Sequence, residues 1–182
     1  MNTQNDLLLH NLMNFYKKKE NLILMMSIVN GESQISLRII DWFSTNYSKK
    51  YYTIYNIDDN TEIKRFKVYN DYKCKLKAFR KEKFDPFCRW ERITIPFGDE
   101  KYIETTIGQL NFFKWAIEFK VIDYIKNYID VIEMDMNNRN SSSKKIKDVN
   151  ENTKTRKKRE ELSVSATKCI KKENMKITVK FN

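Results

Sequence analysis

The 182-residue sequence predicts one α+β domain, helical in its majority with a small antiparallel sheet, and a flexible basic segment after it. Three observations carry that expectation. Apolar residues recur at steps of three and four through several stretches, which is the period of a helix. Two shorter runs rich in Tyr, Ile and Phe flank the turn-prone Asp58-Asp59-Asn60, which reads as a hairpin. The composition is 41% hydrophobic and 13% aromatic with only 3 Gly and 2 Pro, enough for a core that needs no staples.

The N-terminal MNTQNDLLLHNLMNFYKKK places His10 in an apolar-flanked helix and has no basic region ahead of its apolar stretch, so it is not expected to be a signal peptide. Gly31 closes a short helix, and Ile35, Ile39, Trp42 and Phe43 mark another from about Ser33 to Asn46. Tyr51 to Ile57 and Glu62 to Phe66 form the hairpin. Phe66, Tyr69, Tyr72, Leu76 and Phe79 then step like one face of a helix. A strand-like run, Arg92 to Phe97, follows the loop that contains Pro86.

The clearest helix begins at Thr106. Thr106-Ile107-Gly108-Gln109 fits a capping box, with Thr capping the first turn and Gln reaching back. Leu110, Phe113, Ile117, Val121, Tyr124, Tyr128 and Ile132 follow the helical period, and a break is expected near Asn127. Phe112, Trp115, Phe119, Ile122 and Ile129 supply a second apolar face, so the helix is wrapped by protein on most sides, with part of that face open to a homodimer contact.

Composition changes near Met136. Residues 137–182 hold 14 Lys or Arg and 5 Asp or Glu, a net +9 that leaves +2 for everything before. Three regions result: a compact body over 1–136, a basic linker over 137–159, and a returning segment over 160–182. The linker has only Ile146 and Val149 as sizeable apolar side chains, too few to offset the entropy of ordering it. Glu160 to Lys172 suits a helix and Met175 to Phe181 a terminal strand.

The formal charge of +11 points to a polyanionic partner. Cys74, Cys88 and Cys169 are separated by 14 and 81 residues, which suits neither a disulfide framework nor a zinc knuckle, and a reducing compartment is the simpler reading. No apolar run approaches the ~20 residues of a membrane span. A single histidine leaves no His-based triad except around His10, which reads as structural. GxGxxG and GxxxxGK[ST] are both missing, so no cofactor and no small-molecule substrate are expected. Asp123, Asp130, Glu133 and Asp135 have the spacing of a solvated helix face rather than a metal cluster. Asp99 with Glu118 and Lys120 loosely resembles the D…ExK pattern of metal-dependent nucleases. On a helix, however, Glu118 and Lys120 would point about 200° apart.

What remains is the basic clusters. Helical spacing puts Lys73, Lys77, Arg80 and Lys81 beside one another while Leu76 and Phe79 face inward. Like charges at i and i+4 oppose a helix by a few tenths of a kcal/mol, so a face made only for solvation would carry more Glu. The tail adds Lys144, Lys145, Lys154, Arg156, Lys157, Lys158 and Arg159, for which a nuclear-localisation patch is the plainer alternative. Arg89 and Arg92, near Trp90, Phe84 and Phe87, offer a third contribution by stacking on single strands, although such aromatics are commonly core. Nothing encodes base-edge recognition, so the expected partner is DNA held sequence-independently through its phosphates. A compact body with a basic arm can also bridge and condense duplexes.

ISLRIIDWFSTNYSKK (Ile35 to Lys50), FDPFCRWERI (Phe84 to Ile93), TTIGQLNFFKWAI (Thr105 to Ile117) and RKKREELSVSATK (Arg156 to Lys168) resemble segments of a short basic protein family of nucleocytoplasmic large DNA viruses, mimivirus-like giant viruses among them. The resemblance implies virion association, non-specific DNA binding and condensation, and a place in the virion core or in the viral factory of the host cytoplasm. The competing expectations are a structural, tegument-like interaction protein and, further behind, a nuclease.

Overall fold

The computed structural model describes residues 4–59, 62–97 and 102–149. It is an α+β fold in which helices predominate. Helices α1 (Gln4–Tyr16) and α2 (Lys19–Val29) come first, and Gly31 closes them at φ +74°. Helix α3 (Leu37–Trp42) starts four residues later than its periodicity suggests. Ser33 Oγ accepts from the Ile35 N–H at 3.2 Å in a local turn, and Ser36 becomes the cap, accepting from the Ile39 N–H at 3.3 Å. A π-helical turn, Phe43–Tyr47, carries the chain into α4 (Ser48–Lys50) and turns Phe43 and Tyr47 both inward, their rings stacked at 5.8 Å.

The expected hairpin is β1 (Ile54–Asp59) against β2 (Glu62–Lys67), antiparallel with Tyr55 opposite Phe66. Helix α5 (Val68–Phe79) and a 3₁₀ turn, Lys81–Lys83, follow. The predicted strand at Arg92 is β3 (Arg92–Pro96), and it pairs with β4 (Tyr102–Thr106), which the sequence did not mark, in a second two-stranded sheet. Three helices end the described chain: α6 (Ile107–Glu118), α7 (Val121–Asn127) and α8 (Ile129–Val149).

Helix α6 is the centre of the core. Leu110, Phe112, Phe113, Trp115 and Ala116 are buried around its circumference, against α1, α2 and α7 among others. Its cap forms as expected, with Thr106 Oγ1 accepting from the Gln109 N–H at 3.1 Å. The Gln109 side chain does not reach back. Its amide donates to the Pro86 carbonyl at 2.9 Å and its oxygen accepts from Thr105 Oγ1 at 2.9 Å, because a buried amide must satisfy both of its ends.

Most of the second apolar face is covered within the chain itself. Phe112, Trp115 and Ile122 are buried, Phe119 stacks on Phe66 at 4.7 Å, and Ile129 packs on the core. The chain's own hairpin and helix α5 cover that face. The break near Asn127 occurs at Tyr128, and a second lies at Phe119–Lys120, where Lys120 adopts φ +53° and the Phe119 carbonyl accepts from the Tyr55 hydroxyl at 2.7 Å.

At the other end, α8 runs past Met136 to Val149, so residues 137–149 of the expected linker are helical. Extending an existing helix avoids the cost of nucleating one, and Arg139 anchors the extension by lying 5.4 Å over the Trp42 ring and donating to Asn46 Oδ1 at 3.2 Å. The rest of the linker and the segments expected over Glu160 to Lys172 and Met175 to Phe181 lie outside the described residues. Cys74 is a free, exposed thiol, and Cys88 is buried. Among the described residues no helix is long and apolar enough to cross a membrane.

Candidate nucleic-acid interface

Helix α5 supplies part of the expected basic face. Its inward residues are Val68 and Tyr72, and Lys73 and Lys77 lie on the side turned away from them. Arg80 and Lys81 do not continue the row. The helix stops at Phe79, and Arg80 turns to φ +58°. The cause lies in α6: the Asn111 amide donates to the Lys83 carbonyl at 2.7 Å, the Asp85 N–H donates to the Gly108 carbonyl at 3.2 Å, and the chain is drawn across α6 instead of extending α5.

Arg89 and Arg92 are engaged within the protein. Arg89 forms a two-pronged pair with buried Asp85, Nε to Oδ2 at 2.8 Å and a second N–H to Oδ1 at 2.9 Å, with its guanidinium 5.1 Å over the Phe87 ring. Hydrogen bonding to Asp85 raises the Arg89 pKa further. Arg92 reaches diagonally across the β3–β4 sheet to Glu104 at 3.4 Å. Phe84 and Phe87 are core, so no stacking platform forms there, and only Trp90 of that group is exposed. Lys144 and Lys145 fall on the backbone of α8, while Lys154, Arg156, Lys157, Lys158 and Arg159 lie outside the described residues.

The structure adds a site the basic clusters did not announce. Between the end of α4, the start of β1, the end of β2 and the start of α5 lies a cleft of about 240 Å³, lined by Lys49, Tyr52, Ile54, Lys67, Tyr69 and Asn70 over a base at Ser48. No carboxylate lines it. Strand register explains Lys67: it is paired with Ile54, and both point away from the face that buries Phe66. Lys49 Nζ sits 5.7 Å from the centre of the Tyr69 ring. Asn70, on the cleft wall, precedes Lys73 by one helical turn and Lys77 by two, so cleft and stripe are continuous. Among the described residues, none of Lys49, Lys67, Lys73 and Lys77 forms an ion pair.

Lys50, the sequence neighbour of Lys49, has a different role. With Tyr51 and the Trp42 indole it converges on Asp135 of α8, Tyr51 Oη donating at 3.0 Å and Trp42 Nε1 at 3.1 Å. Partial burial works to raise the Asp135 pKa, but the hydrogen bonds from Lys50, Tyr51 and Trp42 outweigh it and hold the carboxyl below its ordinary range. The Lys49-Lys50-Tyr51-Tyr52 run was the visible signal for the cleft; which of its members would be neutralised was not. Of the other acidic groups, Asp123, Asp130 and Glu133 are exposed, as a solvated face requires. The nuclease-like residues do not assemble among the described residues: Glu118 pairs with Lys114 at 3.7 Å on α6, Lys120 caps α7, and Asp99 is not described. His10 is exposed on α1.

No solved structure matches this fold. A mimivirus relative, Uncharacterized protein L507 of Acanthamoeba polyphaga mimivirus, is 42% identical over 139 residues, covering 74% of this chain and 52% of the relative. The chain thus spans about half the length of that relative, whose source agrees with the giant-virus resemblance of the sequence. The model of a family of unknown function, DUF7197, matches residues 1–161, and the chain belongs to that family.

Proposed function

We propose that this protein binds DNA through its phosphate backbone without reading base sequence, and that it packages or condenses DNA without catalysis in a giant-virus particle or viral factory. The carboxylate-free cleft of Lys49 and Lys67, continuous with Lys73 and Lys77, carries this reading. An unpaired lysine row releases counterions when it neutralises phosphates, and that release is the main source of sequence-independent affinity. The second surface is the basic tail, Lys154 with Arg156 to Arg159. Two phosphate-binding surfaces on one chain favour bridging between duplex segments once one is engaged.

An electrophoretic shift with unrelated DNA fragments, run with and without magnesium, tests this reading. A shift without cutting is expected. Cutting in magnesium would replace it with a nuclease. Absence of any shift at low salt would select the competing reading, a structural, tegument-like interaction component. That second reading is favoured by the exposed apolar row Tyr128, Val131 and Met134 at the α7–α8 junction and along α8, the surface a homodimer would then use.

A further inference from the structure

We infer that the cleft beside Lys49 and Lys67 takes an unpaired base, so that the protein holds single-stranded nucleic acid by stacking on Tyr52 in addition to holding phosphates. The inference rests on the nucleic-acid reading above and specifies the form of its ligand.

Tyr52 is the first reason. Its side chain is 84% exposed, and its backbone adopts φ +47°. A left-handed conformation costs an L residue with a Cβ roughly 1–2 kcal/mol relative to the right-handed one, and Gly or Asn would make the same turn from α4 into β1 with less strain. The turn therefore does not call for a tyrosine. Among the described residues no ring and no hydrogen-bond partner holds Tyr52, in contrast to Tyr51, whose ring lies 4.5 Å from Tyr47 and whose hydroxyl is bound to Asp135. A strained position keeping a free aromatic ring in solvent suggests a use for the ring.

The surroundings are the second reason. Ile54, 48% exposed, gives the cleft an apolar wall, and the Asn70 amide offers both a donor and an acceptor to a base edge. Lys49 and Lys67, both in the lining, supply the charge for the adjoining phosphates. At about 240 Å³ the cleft is smaller than the ~300 Å³ at which pockets for drug-sized ligands begin, which suits one flat heterocycle rather than a base pair, while its lysines remain open to duplex phosphates. Alternating aromatic and cationic groups along a groove are the usual means of holding single strands regardless of sequence.

Fluorescence anisotropy with the full chain tests this, using a labelled oligothymidylate, an abasic strand of equal length and a duplex of equal length. The wild type should bind oligothymidylate more tightly than the abasic strand. Tyr52→Ala should weaken oligothymidylate binding about 5- to 150-fold, the range found when a base-stacking aromatic is truncated, while leaving abasic and duplex affinities within about twofold. Tyr52→Trp should restore the preference. Far-UV circular dichroism of both variants should be unchanged, because the side chain is exposed. Equal wild-type affinity for oligothymidylate and the abasic strand, or an oligothymidylate affinity indifferent to Tyr52→Ala, would overturn base stacking and leave the phosphate-binding function standing. Failure of all three probes to bind would overturn both.

Discussion

The Trp115 indole donates to Asp71 Oδ1 at 2.7 Å, joining the central helix α6 to the first turn of α5. Asp71 is the sole acidic residue of α5, and this bond turns its carboxylate inward, away from Lys73 and Lys77. One hydrogen bond thus fixes the helix that bears the basic stripe and removes the negative charge from its outer face.

Replacing Asp71 with Leu should leave the partly buried indole N–H without its acceptor. A cost of about 1–3 kcal/mol is expected from the unmet donor. Urea unfolding of the variant checks it. Stability equal to wild type would mean that water or another side chain satisfies Trp115.

Gly108 is required by a close approach. A Cβ there would lie 2.7 Å from the Glu82 carbonyl oxygen, a backbone atom that cannot swing aside. Gly108→Ala should therefore destabilise the protein by about 1–3 kcal/mol through overpacking, against the ~1 kcal/mol gain that Ala normally brings to a helix interior. A melting temperature at or above that of the wild type would show that the 3₁₀ turn shifts without cost.

The Asp135 clamp has a definite pH dependence. Its carboxyl is depressed in the folded state, so its contribution is fully present above the unfolded aspartate pKa of about 3.9 and disappears as pH falls through the lower folded value. Asp135→Asn should thus be less stable than wild type at pH 5 to 7, with the two converging below about pH 4. Melting temperatures measured from pH 7 down to pH 2.5 decide it; a difference that persists unchanged at low pH would assign the clamp's worth to packing.

The salt dependence of DNA binding separates the lysines that face solvent from the arginines that serve the fold. For each duplex phosphate that a variant no longer neutralises, the log–log salt slope should flatten by about 0.9. Lys49→Gln, Lys67→Gln, Lys73→Gln and Lys77→Gln should each flatten it. Arg89→Gln should lower the melting temperature, because it strands buried Asp85, and leave the slope unchanged. Titration of each variant between low and moderate salt provides the comparison, and a flattened slope for Arg89→Gln would return that residue to the interface.

The sequence by itself determined what depends on local chemistry and on period. The Thr106 cap, the left-handed Gly31, the β1–β2 hairpin, the apolar wrap of α6 and the excess of cations all follow from neighbouring residues or from simple counts, so they are legible in one dimension. Only the tertiary structure decided where each charge ends up. Lys49 and Lys50 are adjacent, yet Asp135 lies 85 residues beyond Lys50 and claims that lysine alone. Arg89 is taken up by Asp85, which is buried beneath it, and Arg80 leaves the row of Lys73 and Lys77 because α6 draws in the segment that follows. Helix α8 outran its expected end because Trp42 and Asn46 wait there for Arg139. The physical reason is common to all four: side-chain type sets what a residue can bond to, but the available partner comes from a distant part of the chain or from its burial, and packing alone brings the two together.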